Sequence, residues 1–279
     1  MEKVTILNIT IDNLLRKELL AKLESGVVFT PNVDHLIQLQ KDEEFFKVYL
    51  IADYKLCDSQ VLIYASKFLG TPIKQKISGS DFFPAFYTYH KYNEKIKIFL
   101  LGAAKGVAKK AQERINKKVG RNIVVGSHSP SFGFENNEKE CMEIVKIINQ
   151  SEATVLSVGL GAPKQEKWIY KYKDKLPNIK IFLAVGATID FEANKLTRSP
   201  KWMSDSGLEW LYRLLSEPKR LWKRYLVEDL VFFWLILKQK LNLYTMPNSN
   251  EQSYEVEENL NEKLVSLLAT MQARKGTKV

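Results

Sequence analysis

From about residue 25 to 195, short β-branched or apolar runs alternate with longer amphipathic stretches. Residues 26–30 (GVVFT) read as a strand, and beyond Pro31 and Asn32 a helical pattern runs over 33–53. Asp58 or Ser59 caps a second helix, VLIYASKFLG, which Gly70 stops. Ser78-Gly79-Ser80-Asp81 opens another. Further strands are read at 97–101 (KIFLL), 122–125, 154–158 (TVLSV) and 181–185 (IFLAV), and helices at 106–119, 138–150 and 165–175. Strands regularly separated by helices define an α/β fold with a largely parallel sheet. Such open sheets bind ligands outside the carboxyl ends of their strands.

The character changes past residue 195. Residues 196–245 hold nine Lys and Arg against five Asp and Glu, with four of the five tryptophans (Trp202, Trp210, Trp222 and Trp234). The most apolar run in the chain, LVFFWLIL at 230–237, lies here. These residues read as a basic, helical C-terminal appendage to a core over 1–195. Residues 246–256 are polar, include Pro247 and read as a linker. Leu260, Leu264, Leu267, Leu268 and Met271 then share one face of an amphipathic tail helix, so 246–279 forms a third region. No apolar run approaches the roughly 20 residues that span a bilayer. The start lacks the basic and apolar segments of a signal peptide.

At 279 residues, 45% hydrophobic and 27% charged, the chain can bury a full core without disulfides. Its net charge of +10 points to anionic partners. Nucleic acid gains little, because the basic residues are dispersed and no RRM, KH or helix-turn-helix signature appears. The two cysteines, Cys57 and Cys141, fit a reducing compartment and no redox or zinc spacing. His35, His90 and His128 are scattered, and no Asp-x-Asp pair occurs, so no metal site is expected.

The sharpest local signal is Ser157-Val-Gly-Leu-Gly-Ala-Pro-Lys-Gln-Glu166, where a strand ends in two glycines and a helix follows. Gly159 and Gly161 let the backbone approach an anion such as a diphosphate, while the new helix offers free N–H groups. Lys164 adds charge and Gln165 a bidentate amide. The bland alternative is a turn that needs glycines merely to bend. Lys164 stands where a dinucleotide fingerprint requires its third glycine, which disfavours NAD and FAD. Other strand ends carry similar residues: Thr30-Pro31-Asn32, Gly102-Ala-Ala-Lys-Gly106, and Gly186-Ala-Thr-Ile-Asp190, whose Asp190 could face a ribose. Gly79 and Asp81 open the helix after Ser78. Each alone is as readily a cap or turn as a site. Asp58 is either an N-cap or a carboxylate placed to take a proton from a sugar hydroxyl.

Taken together, FTPNVDHLIQLQKDEEF, CDSQVLIYASKFLGTPIKQKISGSD, GLGAPKQEKWI, AVGATIDFEA and GLEWLYRLLSEPKRLWKRYL resemble, in order, the WecG/TagA/CpsF family of bacterial glycosyltransferases. The resemblance covers about residues 4–245. It implies a Rossmann-like core and inverting, metal-independent transfer of a sugar from a UDP-sugar to a polyprenyl-diphosphate-linked acceptor. It also implies an appendage that helps place the enzyme on the inner face of the cytoplasmic membrane. Asp58 falls where the family has its proposed general base, Thr30 and Asn32 on its Thr-x-Asn pair, and Gln165 on its active-site glutamine. Lys76 stands where better-known members tend to have arginine, and Ser59 where many have glycine after the aspartate.

Inverting transfer requires one carboxylate to deprotonate the acceptor hydroxyl as it attacks from the face opposite UDP. Without a metal or cofactor, the 159–165 turn and basic side chains would meet the diphosphate charge. Arg213, Arg220 and Arg224 would share one face of an uninterrupted helix, unless Pro218 divides it. They suit the acceptor diphosphate, UDP or lipid headgroups. The appendage's tryptophans and LVFFWLIL suit a membrane surface; core packing or an interface in a homo-oligomer is the other reading. The competing function is a non-catalytic nucleotide-binding module attached to the membrane.

Overall fold

The computed structural model describes residues 2–200, 202–203, 206–223 and 230–246. Among the described residues there are eight strands: β1 (Lys3–Ile6), β2 (Ile9–Asp12), β3 (Gly26–Phe29), β4 (Tyr54–Lys55), β5 (Ile98–Gly102), β6 (Val124–His128), β7 (Val155–Gly159) and β8 (Ile181–Ala184). The last six form a parallel sheet in the order β4-β3-β8-β7-β5-β6, while β1 and β2 make a separate antiparallel hairpin. The strands interleave with α1 (Arg16–Lys22), α2 (Val33–Gln38), α3 (Glu43–Leu50), α4 (Gln60–Leu69), α5 (Gly79–Tyr89), α6 (Val107–Val119), α7 (Glu138–Gln150), α8 (Lys164–Tyr172) and α9 (Thr188–Glu192). The protein is therefore α/β and Rossmann-like.

The pleat sorts the strand residues into two cores. Phe29, Phe99, Leu101, Leu156, Val158 and Phe182 face α2, α3, α4, α7, α8 and the hairpin. Val28, Ile98, Leu100, Val155, Ile181 and Leu183 face α1, α5, α6 and α9. Strands covered on both sides read as continuous apolar runs, which is why 98–101 and 181–184 are so legible.

Three local differences from the sequence expectation have clear causes. The pattern over 33–53 divides into α2 and α3, because the Asp42 carboxylate accepts the Phe45 N–H at 2.9 Å and starts a new helix. The 165–175 helix ends at Tyr172 and tightens into a 3₁₀ turn over Lys173–Lys175. The strand read at 122–125 runs instead over Val124–His128. The two-residue strand β4 is the sheet's edge, and β2 covers it: Asp12 Oδ2 accepts the Lys55 N–H at 2.8 Å.

Contacts group Met1–Tyr244 as one compact unit and Thr245–Val279 as another. Within the first, helices span Glu209–Ser216, Pro218–Lys223 and Leu230–Lys240. The last of these buries Phe232 and Ile236 against the core, and its Gln239 accepts the Leu7 N–H at 2.9 Å. Leu230, Val231, Phe233 and Trp234 on the same helix are exposed. No described helix is long and apolar enough to cross a membrane. The linker and tail helix read for 246–279 fall, beyond Met246, outside the described residues, and so does Arg224.

Candidate active site

Because all six sheet strands are parallel, their carboxyl ends share one edge. The chain leaves β3 and β7 toward the face holding α2 and α8, but leaves β8 and β5 toward the face holding α9 and α6. Adjacent exits diverge on both sides of β8, and crevices open where exits diverge.

The β3 and β4 ends gather four of the candidates. Thr30 is buried, and its hydroxyl donates to Ala184 O at 3.3 Å, joining the β3 end to the β8 end. Asn32 caps α2 by accepting the His35 N–H at 3.1 Å. The Asp58 N–H donates to Pro31 O at 2.9 Å, which lays the Asp58 turn alongside Thr30-Pro31-Asn32. Lys76 arrives because the neighbouring Ile77 N–H donates to Cys57 O at 2.7 Å. The cap of α4 is Ser59, whose hydroxyl accepts the Val61 N–H at 3.2 Å. Asp58 precedes that cap and is half-buried. Burial pushes the Cys57 thiol up to about 12, so it is a packed side chain and no thiolate nucleophile.

The glycine turns have two different uses. A Cβ on Gly102 would lie 2.3 Å from Gly159 O, and one on Gly159 would lie 2.7 Å from Gly186 O. These two glycines therefore let the exits of β5, β7 and β8 pack backbone against backbone. Gly79 does likewise where α5 starts against Val185, a Cβ there falling 3.1 Å from Val185 Cα. Gly161 (φ +78°) and Gly186 (φ +56°) hold left-handed turns, and a Cβ on either would meet nothing within 4 Å. Open space for a ligand is at these two.

Around the turns, side chains expected to meet an anion are partly committed elsewhere. Lys164 is ion-paired with Glu135 and lies 5.4 Å from the Phe132 ring centroid. The Gln165 N–H donates to Gly161 O at 3.1 Å. Its side-chain amide accepts the Gly186 N–H at 3.1 Å and donates to Glu166 Oε1 at 2.8 Å, so it braces the wall of the crevice. Asp81 accepts from Ser78 at 2.7 Å and pairs with Arg198 at 2.9 Å. Burial raises the Asp190 carboxyl above its ordinary value, with Lys195 at 3.7 Å opposing. Arg213 and Arg220 lie on separate helices, since the helix is interrupted at Glu217 before Pro218.

The sequence reading missed a buried polar group behind Thr30 and Asn32. His35 Nδ1 and the Tyr49 hydroxyl are hydrogen-bonded, and Asp34 accepts from Gln38 at 2.8 Å. Burial, then the charges of Glu166, Asp34 and Asp58, hold the Tyr49 hydroxyl well above its ordinary value. Glu166 is wholly buried; desolvation lifts its carboxyl to about 7, against the hydrogen bond from Gln165. A signal was available. Gln165 and Glu166 stand on the same helical face as Trp168, Ile169 and Tyr172, where a polar pair is out of pattern. Among the described residues no three His, Cys, Asp or Glu side chains cluster as a metal site.

The fold and its divided crevice define a Rossmann-like protein with polar groups converging at one sheet edge. The profile described as Glycosyl transferase WecG/TagA/CpsF family matches residues 4–246. The chain belongs to this family and is a glycosyltransferase. It is 28% identical over 212 residues to the N-acetylglucosaminyldiphosphoundecaprenol N-acetyl-beta-D-mannosaminyltransferase of Bacillus subtilis (strain 168), covering 76% of this chain and 79% of that protein. The protein of the same description from Bacillus spizizenii (strain ATCC 23059 / NRRL B-14472 / W23) is 28% identical over 203 residues, covering 73% and 76%.

Proposed function

We propose that this glycosyltransferase moves an N-acetylhexosamine of the N-acetylmannosamine class from UDP to an undecaprenyl-diphosphate-linked N-acetylglucosamine, in the synthesis of a cell-surface polymer. The relatives' descriptions support the acceptor and the transferred sugar. The observation that carries the chemistry is the Asp58 turn, held against Thr30-Pro31-Asn32 at the sheet's carboxyl edge with Ser59 serving as the helix cap. There Asp58 takes the proton from the attacking hydroxyl, a contribution of about 10²- to 10⁴-fold. A β-linked product from an α-linked nucleotide sugar requires inversion, which one base achieves without a covalent intermediate. Gly161, Gly186 and the start of α8 receive the diphosphate, with Lys76 adding positive charge in place of a metal.

The enzyme works on the inner face of the cytoplasmic membrane. Leu230, Val231, Phe233 and Trp234 are exposed on one short helix, whose Lys238 and Lys240 lie 5.4 Å from the Trp234 ring centroid and 5.6 Å from that of Phe68. An apolar face bordered by lysines suits the headgroup region.

The test is UDP release in EDTA from a panel of UDP-sugars, with a short-chain polyprenyl-diphosphate-GlcNAc acceptor. Acceptor-dependent release from one donor, cut at least 10²-fold in Asp58→Asn at near-normal UDP affinity, is expected. UDP binding with no turnover on any donor would favour a non-catalytic module. Release only on adding a divalent cation would overturn metal independence.

A further inference from the structure

The buried face of α8 begins with two polar side chains, and their contacts show what they are for. Gln165 uses both ends of its amide across the crevice between β7 and β8. Oε1 accepts the Gly186 N–H at 3.1 Å, and Nε2 donates to Glu166 Oε1 at 2.8 Å. Those partners fix which way the amide faces. The Gly186 N–H needs an acceptor, and a carboxyl oxygen takes a donor. If the amide turned over, its NH₂ would confront the glycine N–H. Glu166 opposes the turn from the other end, where the amide oxygen would be set against its Oε1. It is 0% exposed, and its second oxygen, Oε2, is buried with no partner.

As structural material such a carboxyl is poor. An apolar side chain of similar size would bury as much surface without leaving an oxygen unsatisfied. Its burial and the nearby Asp34 charge raise its carboxyl, which adds to the cost of keeping it. Gly186, at the far end of the chain of bonds, holds a left-handed turn with open space beside it. The packing of Gly159 against Gly186 O means that a small shift of this turn reaches the whole β7–β8 edge.

We propose that Glu166 is a positioning residue: its carboxyl orients the Gln165 amide so that Gln165 seats the Gly186 N–H and sets the crevice wall. The geometric half stands on these contacts alone; the kinetic half rests on the glycosyltransferase reading above. Glu166 touches no substrate in this scheme and acts through Gln165.

The experiment uses the full chain as wild type, Glu166→Leu, Glu166→Gln, Gln165→Leu and the Gln165→Leu/Glu166→Leu double variant. Three readouts are taken: thermal midpoint, the Gly186 amide resonance in ¹⁵N-glycine-labelled protein (13 glycines), and kcat and KM with the UDP-sugar. Glu166→Leu should keep or raise the thermal midpoint, yet move the Gly186 resonance to where Gln165→Leu puts it. It should lower kcat/KM by about 10²-fold, the scale of a misplaced site group. The double variant should be no worse than Gln165→Leu alone, as expected of residues acting as one unit. Glu166→Gln, whose amide oxygen accepts the same bond, should recover to within about tenfold of wild type.

An unmoved Gly186 resonance in Glu166→Leu would overturn the proposal. So would single-variant losses that multiply in the double variant. A lowered midpoint with wild-type kinetics would make Glu166 merely structural and would also overturn it. If wild-type protein turns over no donor, the functional reading fails, and the Gly186 resonance by itself decides whether Glu166 positions the amide.

Discussion

Replacing Gly159 with alanine tests the stacked strand exits most directly. The added Cβ would lie 2.7 Å from Gly186 O, 2.9 Å from Ile189 Cδ1 and 3.1 Å from Ile189 Cγ1. Carbon and carbonyl oxygen settle at about 3.3–3.6 Å, so the Gly186 turn must retreat by roughly 0.6 Å or more. Ile189 can yield by a rotamer adjustment; the carbonyl is backbone and cannot. Overpacking of this kind costs about 1–3 kcal/mol. The Gly186 N–H to Gln165 bond is already 3.1 Å, close to the upper limit of about 3.2 Å. Losing it adds about 0.5–1.5 kcal/mol, for a total of about 1.5–4.5 kcal/mol. In a domain of this size each kcal/mol moves the midpoint by about 2–4 °C. Urea titration and a thermal scan read the stability, and turnover at 25 °C reads the site. Turnover should fall further than the unfolded fraction explains. Gly161→Ala is the control, because its φ of +78° makes the substitution strained while nothing lies within 4 Å; it should cost about 1–2 kcal/mol through conformation alone. A Gly159→Ala protein with wild-type midpoint and turnover would refute the argument that this contact sets the edge.

Three other outcomes are expected. Ser59→Gly should cost only a few tenths of a kcal/mol as a cap change and should leave turnover intact; denaturation and UDP release check it. Glu166 has a folded-state carboxyl raised to about 7 from 4.5, so the folded protein holds the proton where the unfolded chain has lost it. Its destabilising effect is absent below about pH 4.5, grows as pH rises to about 7 and is then complete, on the order of 3 kcal/mol. Wild type should therefore lose stability relative to Glu166→Gln across that window, and a difference that is flat with pH would exclude the effect. Phe233→Ser/Trp234→Ser should abolish sedimentation with anionic vesicles at low salt without changing turnover of a soluble acceptor; unchanged sedimentation would remove this helix from the membrane contact.

The interior strands were legible because both their faces are covered, which writes unbroken apolar runs such as FLL and IFLA into the sequence. The edge was less so. Tyr54–Lys55 is too short for any pattern, and the β1–β2 hairpin lies outside the repeating strand–helix region. The break between α2 and α3 was visible only as Asp42, since the apolar spacing on either side continues a single helix. That Thr30 and Asn32 lie at the carboxyl edge followed from the rule that strand ends share one edge; Asp58 was joined to them only by the family resemblance, because β4 before it left no pattern. What each glycine does there followed from neither. Gly102, Gly159, Gly161 and Gly186 look alike in sequence, and only the distances separate those that pack on a neighbouring turn from those that border open space. The Lys164 ion pair with Glu135 was equally hidden, because its partner comes from the loop after β6, on the far side of the sheet order.

The position of β8 has a consequence for how the molecule comes into being. It is the last strand of the sheet in the sequence, yet it lies between β3 and β7. Until residues 181–184 leave the ribosome, β4-β3 and β7-β5-β6 share no strand pairing and each exposes an unsatisfied edge. The nascent chain therefore carries two half-sheets, a state open to wrong pairing and slow to resolve, because the closing contacts span more than 150 residues from Gly26 to Ile181. Thr30 finds its Ala184 partner, and the β7–β8 crevice acquires its second wall, at the same insertion. Truncation anywhere before β8 would thus leave no partially competent enzyme, and completion of the sheet and of the site is one event.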